Sequence, residues 1–185
     1  MDGFVFPFPG RALALKELNH DPCYRKIPPE DRQRMVDAAW EKGAAAAASL
    51  WLETGGEKNF FLIAAKSGLT YRKVPRDYVL GGRRYFCDYI SGQGIITLYT
   101  GAVALWAADN HLEMEAAENL ILSHEYFHFL EWTKLGLTSR DYLVPMLILG
   151  PLKLGRTGIR ALSEIGAHGF ARTYYEKGRN HETEL

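Results

Sequence analysis

The chain has little cysteine, no excess of either charge, and no apolar run of membrane-spanning length. Cys23 and Cys87 are its only two cysteines, too few for a disulfide framework, and both read as ordinary thiols of a protein in a reducing setting. Lysine and arginine together number 22, as do aspartate and glutamate. Neither sign is segregated, so no broad nucleic-acid-binding or anionic-membrane surface is expected. The opening Met1-Asp2-Gly3-Phe4 lacks a basic segment followed by an apolar stretch of signal length, which makes a cytoplasmic location the expectation. The most apolar late stretch, Tyr142 to Pro151, is broken by Pro145 and Pro151 and is too short to cross a bilayer. It is expected to form a loop or short helix covering the core between two helices. No repeat stands out, and Ala44 to Ala48 simply favours helix.

What is present is a chain of 185 residues, about the size of one domain and long enough to bury a core without a staple. A single α+β domain over 1–185 is expected, with an irregular segment at 1–28 that holds a helical turn or two around Leu13 to Leu18. Glu30 to Glu53 reads as a long helix, with Pro29 suited to its first turn and Gly55-Gly56 stopping it. Asn59 to Lys66 reads as a second helix. Leu69 to Val74, Tyr85 to Ile90 and Gly94 to Tyr99 read as three strands, with turns at Gly81-Gly82 and Ser91-Gly92-Gln93-Gly94.

The chemistry is concentrated in His124-Glu125-Tyr126-Phe127-His128. Two histidines four residues apart on a helix point the same way and can grip one zinc ion, and a carboxylate stands beside them: the H-E-x-x-H pattern of zinc hydrolases. The surrounding run, Leu112 to Leu135, contains no glycine or proline and sets Ala117, Ile121, His124, His128 and Trp132 at helical spacing. Asn110 and Glu113 are expected to form a capping box at its start. Tyr126 and Phe127 are bulky aromatics suited to packing the helix rather than to touching a ligand. Because the chain needs no metal to fold, a zinc here is expected to be functional.

A second helical run, Arg160 to Lys177, places Glu164, His168 and Arg172 on one face. A hydrolytic zinc takes three protein groups and keeps one position open, and Glu164, set among apolar neighbours, is the expected third ligand. Gly166 and Gly169 lie on another side, where they signal an element approaching the backbone closely. Glu131, one turn past His128, suits a partner that orients a zinc histidine.

This arrangement resembles the zincin metallopeptidases, specifically the gluzincins, in which a Glu from a later helix completes H-E-x-x-H. The order of a helix ending in Ile63-Ala64-Ala65-Lys66-Ser67-Gly68, strands including Ile95-Ile96-Thr97-Leu98-Tyr99, and then the metal helix is similar to the short cytoplasmic zincins of the ImmA/IrrE type. The resemblance spans Asn59 to Thr173, with a metal-site core over 59–177. It implies a Zn2+ site of His124, His128 and Glu164, with Glu125 as general base in cleavage of a peptide or protein substrate. An extended peptide is expected to pair with Ile95 to Tyr99 as an edge strand.

Many gluzincins have Asp four residues after the ligand Glu, where this chain has His168. That residue is a candidate donor to a developing oxyanion, a replacement third ligand, or a histidine bonded to a backbone carbonyl. Arg172, Tyr174 and Tyr175 are further oxyanion candidates. No DNA-binding module is recognisable, so a repressor-cleaving role is not carried over. The alternatives are a catalytically inactive zincin-like binding or regulatory module, and hydrolysis of a non-peptide amide or ester.

Overall fold

The computed structural model describes residues 6–90, 92–150 and 152–183, with side chains to residue 179. The architecture is α+β. Among the described residues the α-helices are α1 (Ala14–Asn19), α2 (Pro29–Glu53), α3 (Phe60–Lys66), α4 (Thr100–Asp109), α5 (Met114–Leu130) and α6 (Arg160–Thr183). Seven short strands are β1 (Thr70–Val74), β2 (Tyr78–Leu80), β3 (Arg83–Tyr85), β4 (Cys87–Ile90), β5 (Ile95–Tyr99), β6 (Leu143–Leu149) and β7 (Leu152–Gly158). Among the described residues no helix is long and apolar enough to cross a membrane.

Helices α2 and α6 pack so closely that only glycine fits at their crossing. A Cβ on Gly43 would stand 1.9 Å from the carbonyl oxygen of Gly166, and one on Gly169 would stand 2.6 Å from that of Trp40. The helix propensity lost at each glycine, about 1 kcal/mol relative to alanine, is offset by the packing that this approach allows. Phe127, Phe170, Ala47 and Leu122 are fully buried between α2, α5 and α6, so the metal-motif helix is clamped against this pair.

On its other side α5 meets a three-stranded sheet in the order β1-β5-β4. Strand β5 runs parallel to β1 and antiparallel to β4, and its Ile96 and Leu98 are wholly buried. Two side chains tie these layers together. Asn119 of α5 accepts from Phe60 N at 2.7 Å and donates to Lys58 O at 3.0 Å, which holds the start of α3. The buried Glu118 is paired with Lys73 of β1 at 2.6 Å. Helix α3 is capped by Asn59, whose side-chain oxygen accepts from Phe61 N at 2.9 Å.

Several expectations require correction. A helix, α4, intervenes between β5 and the motif helix, so the sheet does not lead directly into α5. Asn110 therefore closes α4, donating through its side chain to Trp106 O at 2.8 Å, and Glu113 is the N-cap of α5 with no side-chain cap bond. The capping box is absent because Asn110 is already committed to the preceding helix.

Strand β5 is central, paired on both sides, so Ile95 to Tyr99 has no free edge to offer a peptide. The edge strand beside α5 is β4.

The apolar stretch is, over its described residues 142–150, neither a loop nor a helix over the core. It belongs to the β6–β7 hairpin, whose Met146, Leu147, Ile148, Leu149, Leu152 and Leu154 are exposed and of whose apolar residues only Val144 is fully buried. Pro145 disfavours a helix there, and Gly150, at φ 57°, provides a left-handed turn that leads into β7.

The segment 1–28 is in its described part more helical than expected, with short 3-10 turns on either side of α1. A further hairpin, β2–β3, turns on Gly81 and Gly82, both with positive φ, as a tight two-residue turn of this hand requires.

Candidate metal centre

His124 and His128 lie one turn apart on α5 with ring centroids 5.1 Å apart, and Glu164 faces them from α6. The Nε2 of His124 is 3.2 Å from Glu164 Oε2, and the Nε2 of His128 is 3.6 Å from Glu164 Oε1. One ligand atom from each of the three residues falls within 4.8 Å of the others. Ligands about 2.0–2.1 Å from a tetrahedral zinc stand roughly 3.4 Å from one another, so the spacing suits such an ion.

The tautomers strengthen that fit. Glu131 is 2 % exposed, and its Oε2 accepts from His128 Nδ1 at 2.9 Å. A neutral His128 thus carries its proton on Nδ1 and aims the Nε2 lone pair at a carboxylate. Two acceptors facing each other require a proton or a cation between them. Glu131 is itself held by Thr138 N at 2.7 Å and by the Ser163 hydroxyl at 2.9 Å. A π-helical turn, Glu131–Leu135, ends α5 here. It takes Trp132 off the buried stripe that helical spacing alone predicts and leaves it 56 % exposed.

Electrostatics follow from this crowding. Burial disfavours the charged form of His128, but the hydrogen bond to Glu131 and the fields of Glu164 and Glu125 outweigh it and raise the metal-free imidazolium to about 9. Burial likewise opposes ionisation of Glu164, yet the bond to His124 and the histidine fields bring it down to about 2. Glu125 is not one of the three ligands. Burial raises its pKa against the lowering fields of His128 and His124, and Glu164 and Asp88 add to the rise, which moves a carboxylate toward the range useful to a general base.

His168 stands beside the cluster, 5.1 Å from His124 between ring centroids, but is not among the three converging ligands. Desolvation first, then the field of His124, lowers its pKa to about 3, so it is a neutral imidazole. Phe8, from the N-terminal segment, stacks on His168 at 5.7 Å and contacts His124 at 5.5 Å. Of the other oxyanion candidates, Tyr174 is excluded: it is buried and bonds through its hydroxyl to Glu57 O and Thr54. Arg172 is paired with Glu176, and Tyr175 packs against Phe6.

On the His128 and Glu164 side lies an open cavity of about 380 Å³, lined by Tyr89 of β4, Trp132, Leu137 and Arg160 among others. Phe8, Ser163, Thr138 and these lining residues were not identified from sequence. Trp132, one turn past His128, and Arg160, one turn before Glu164, do sit at helical spacing from the ligands, and Ser163 is adjacent to one of them, whereas Phe8, Tyr89, Leu137 and Thr138 carry no such signal. Burial pushes the Cys87 thiol well up, with Glu125 and Asp88 adding to the shift, so it is no nucleophile. No protein-family model, curated protein or solved structure matches this chain.

Proposed function

We propose that this protein is a zinc-dependent metallopeptidase with His124, His128 and Glu164 as ligands. One observation supports it above all others. Glu131 fixes the Nδ1 proton of His128, so that lone pairs from two helices converge at a spacing suited to a cation. Zinc bound there would lower the pKa of a water molecule and polarise a carbonyl oxygen.

The remaining roles belong to the chain. Glu125 accepts a proton from the attacking water, whose oxygen bonds to the scissile carbonyl carbon. Glu125 then delivers the proton to the amide nitrogen as the C–N bond breaks, and leaves as a carboxylate again. His168, a neutral imidazole next to His124, offers an N–H to the oxygen on which negative charge develops. The free edge of β4 runs past this site and can accept an extended peptide as a further strand.

Elemental analysis of wild type, His128→Ala and Glu164→Ala, followed by a peptide-library screen of wild type and Glu125→Gln, tests the reading. The expectation is near one zinc per chain, lost in both ligand variants, with turnover abolished by Glu125→Gln and metal retained. Full cleavage by Glu125→Gln sinks the mechanism. Metal-loaded wild type that cleaves nothing moves the assignment to a zincin-like binding or regulatory module.

A further inference from the structure

The cavity beside the ligand cluster is lined by Tyr89, Trp132 and Leu137 and, besides the cluster's own histidine, by one basic side chain, Arg160. Arg160 opens α6 one turn before Glu164, on the same face of the helix. Two carboxylates line the same cavity, yet neither pairs with it. Glu131 is used by His128, Thr138 and Ser163, and Glu164 by the two histidines. Among the described residues the Arg160 guanidinium has no hydrogen bond or ion pair, while its side chain is exposed. The first-turn amides do not compete for an anion: Ala161 N donates to the buried Asp21 at 3.0 Å and Leu162 N to Ile159 O. The volume, about 380 Å³, lies within the range of small-ligand sites, about 300–1,000 Å³. The site therefore suits a group with an apolar stem and an anionic end, and a planar guanidinium favours a carboxylate.

We propose that Arg160 is the specificity-determining residue of this cavity, and that it recognises a carboxylate of the peptide whose apolar part rests on Trp132 and Leu137. The inference rests on the metallopeptidase reading for the identity of the ligand as a peptide. The carboxylate has two possible sources, an acidic side chain or the peptide's own C-terminus.

Binding can be measured without turnover on zinc-loaded Glu125→Gln, by calorimetry. One pair of end-blocked peptides carries Glu or Gln at a single position. A second pair, without acidic side chains, ends in a free carboxylate or an amide. We expect the carboxylate member of one pair to bind on the order of tenfold more tightly than its neutral partner. The preference should vanish in Glu125→Gln/Arg160→Gln, reverse in Glu125→Gln/Arg160→Glu, and survive in part in Glu125→Gln/Arg160→Lys. Preference in the first pair assigns a side-chain carboxylate; preference in the second assigns the C-terminus and an exopeptidase-like mode. Equal binding within both pairs, a preference unchanged by Arg160→Gln, or no binding of any peptide overturns the proposal. Carboxylate preference without cleavage by wild type keeps Arg160 in this role and removes the hydrolytic reading. Cleavage without carboxylate preference does the opposite.

Discussion

His128 donates its Nδ1 proton to the buried carboxylate of Glu131 at 2.9 Å, and this bond determines which ring nitrogen faces Glu164. Carboxylates in this position raise the basicity of a metal-bound histidine, and losing one costs about 10–100-fold in metal affinity. Glu131→Gln should weaken zinc binding by that amount, as read by competition with a chromophoric chelator. Glu131→Ala should also lower the melting temperature, because Thr138 N and the Ser163 hydroxyl lose their acceptor, at about 1–3 kcal/mol for each buried group left unsatisfied. Unchanged zinc affinity in both variants would remove Glu131 from the site.

The same pair makes the metal-free protein sensitive to alkali. His128 has a folded pKa of about 9 against an ordinary 6.5. Folding therefore favours its protonated form, and the resulting stability is fully present below about pH 6.5 and is lost as pH rises through about 9. Thermal unfolding of metal-free protein between pH 6 and 10 should show a falling melting temperature across that window. Zinc must displace this proton, so apparent zinc affinity should rise about tenfold per pH unit while His128 is protonated and level off above about pH 9. A flat profile in both measurements contradicts the assignment.

Close approach to α2 holds α6, the helix that carries Glu164, in place. Gly43→Ala would drive a methyl into Gly166 O at 1.9 Å, so the helices must separate, at a cost of about 1–3 kcal/mol or more. Zinc affinity should fall with stability, because Glu164 moves with α6. Gly178→Ala is the control: its Cβ would meet only the Lys58 side chain, at 3.5 Å, and helix propensity predicts a neutral or slightly stabilising change.

Phe8 packs against the rings of His168 and His124. Phe8→Ala should let the His168 pKa climb from about 3 toward its ordinary value, because desolvation is the main cause of the depression. NMR titration of the imidazole resonances would show it. A His168 signal that stays neutral below pH 5 in the variant would mean that the shielding comes from elsewhere.

The β6–β7 hairpin separates buried from exposed apolar residues. Leu149→Ser and Leu152→Ser should change stability by no more than about 0.5 kcal/mol, as expected for surface positions. Val144, 2 % exposed and packed with Ile159, should cost about 1–2 kcal/mol as Val144→Ala. Chemical denaturation distinguishes the two cases.

Local patterns in the sequence carried a good part of this. Residues four apart on a helix must share a face, so His124 with His128, and Glu164 with His168, were legible from spacing alone. Gly166 and Gly169 announced close neighbours because glycine inside a helix is otherwise unfavourable: Phe127 of α5 and the α2 backbone at Gly166, and the α2 backbone at Gly169. Where the pattern failed, a competing contact had decided the outcome, and in most cases a long-range one. Asn110 looked like a cap for the helix that follows but is spent on the one before it. Strand β5 could be recognised, but its central place depends on β1 and β4 flanking it. Apolar content marked 142–151 as buried, while pairing with β7 leaves most of it in solvent. Phe8 reaches His168 across 160 residues of chain, and Arg160 becomes a cavity residue only because Trp132, Leu137 and Tyr89 come to line the same cavity. The sequence by itself determined which groups could do chemistry, since ligand type and helical spacing are local. Only the tertiary structure decided which of them meet, because that depends on how α5 and α6 are packed.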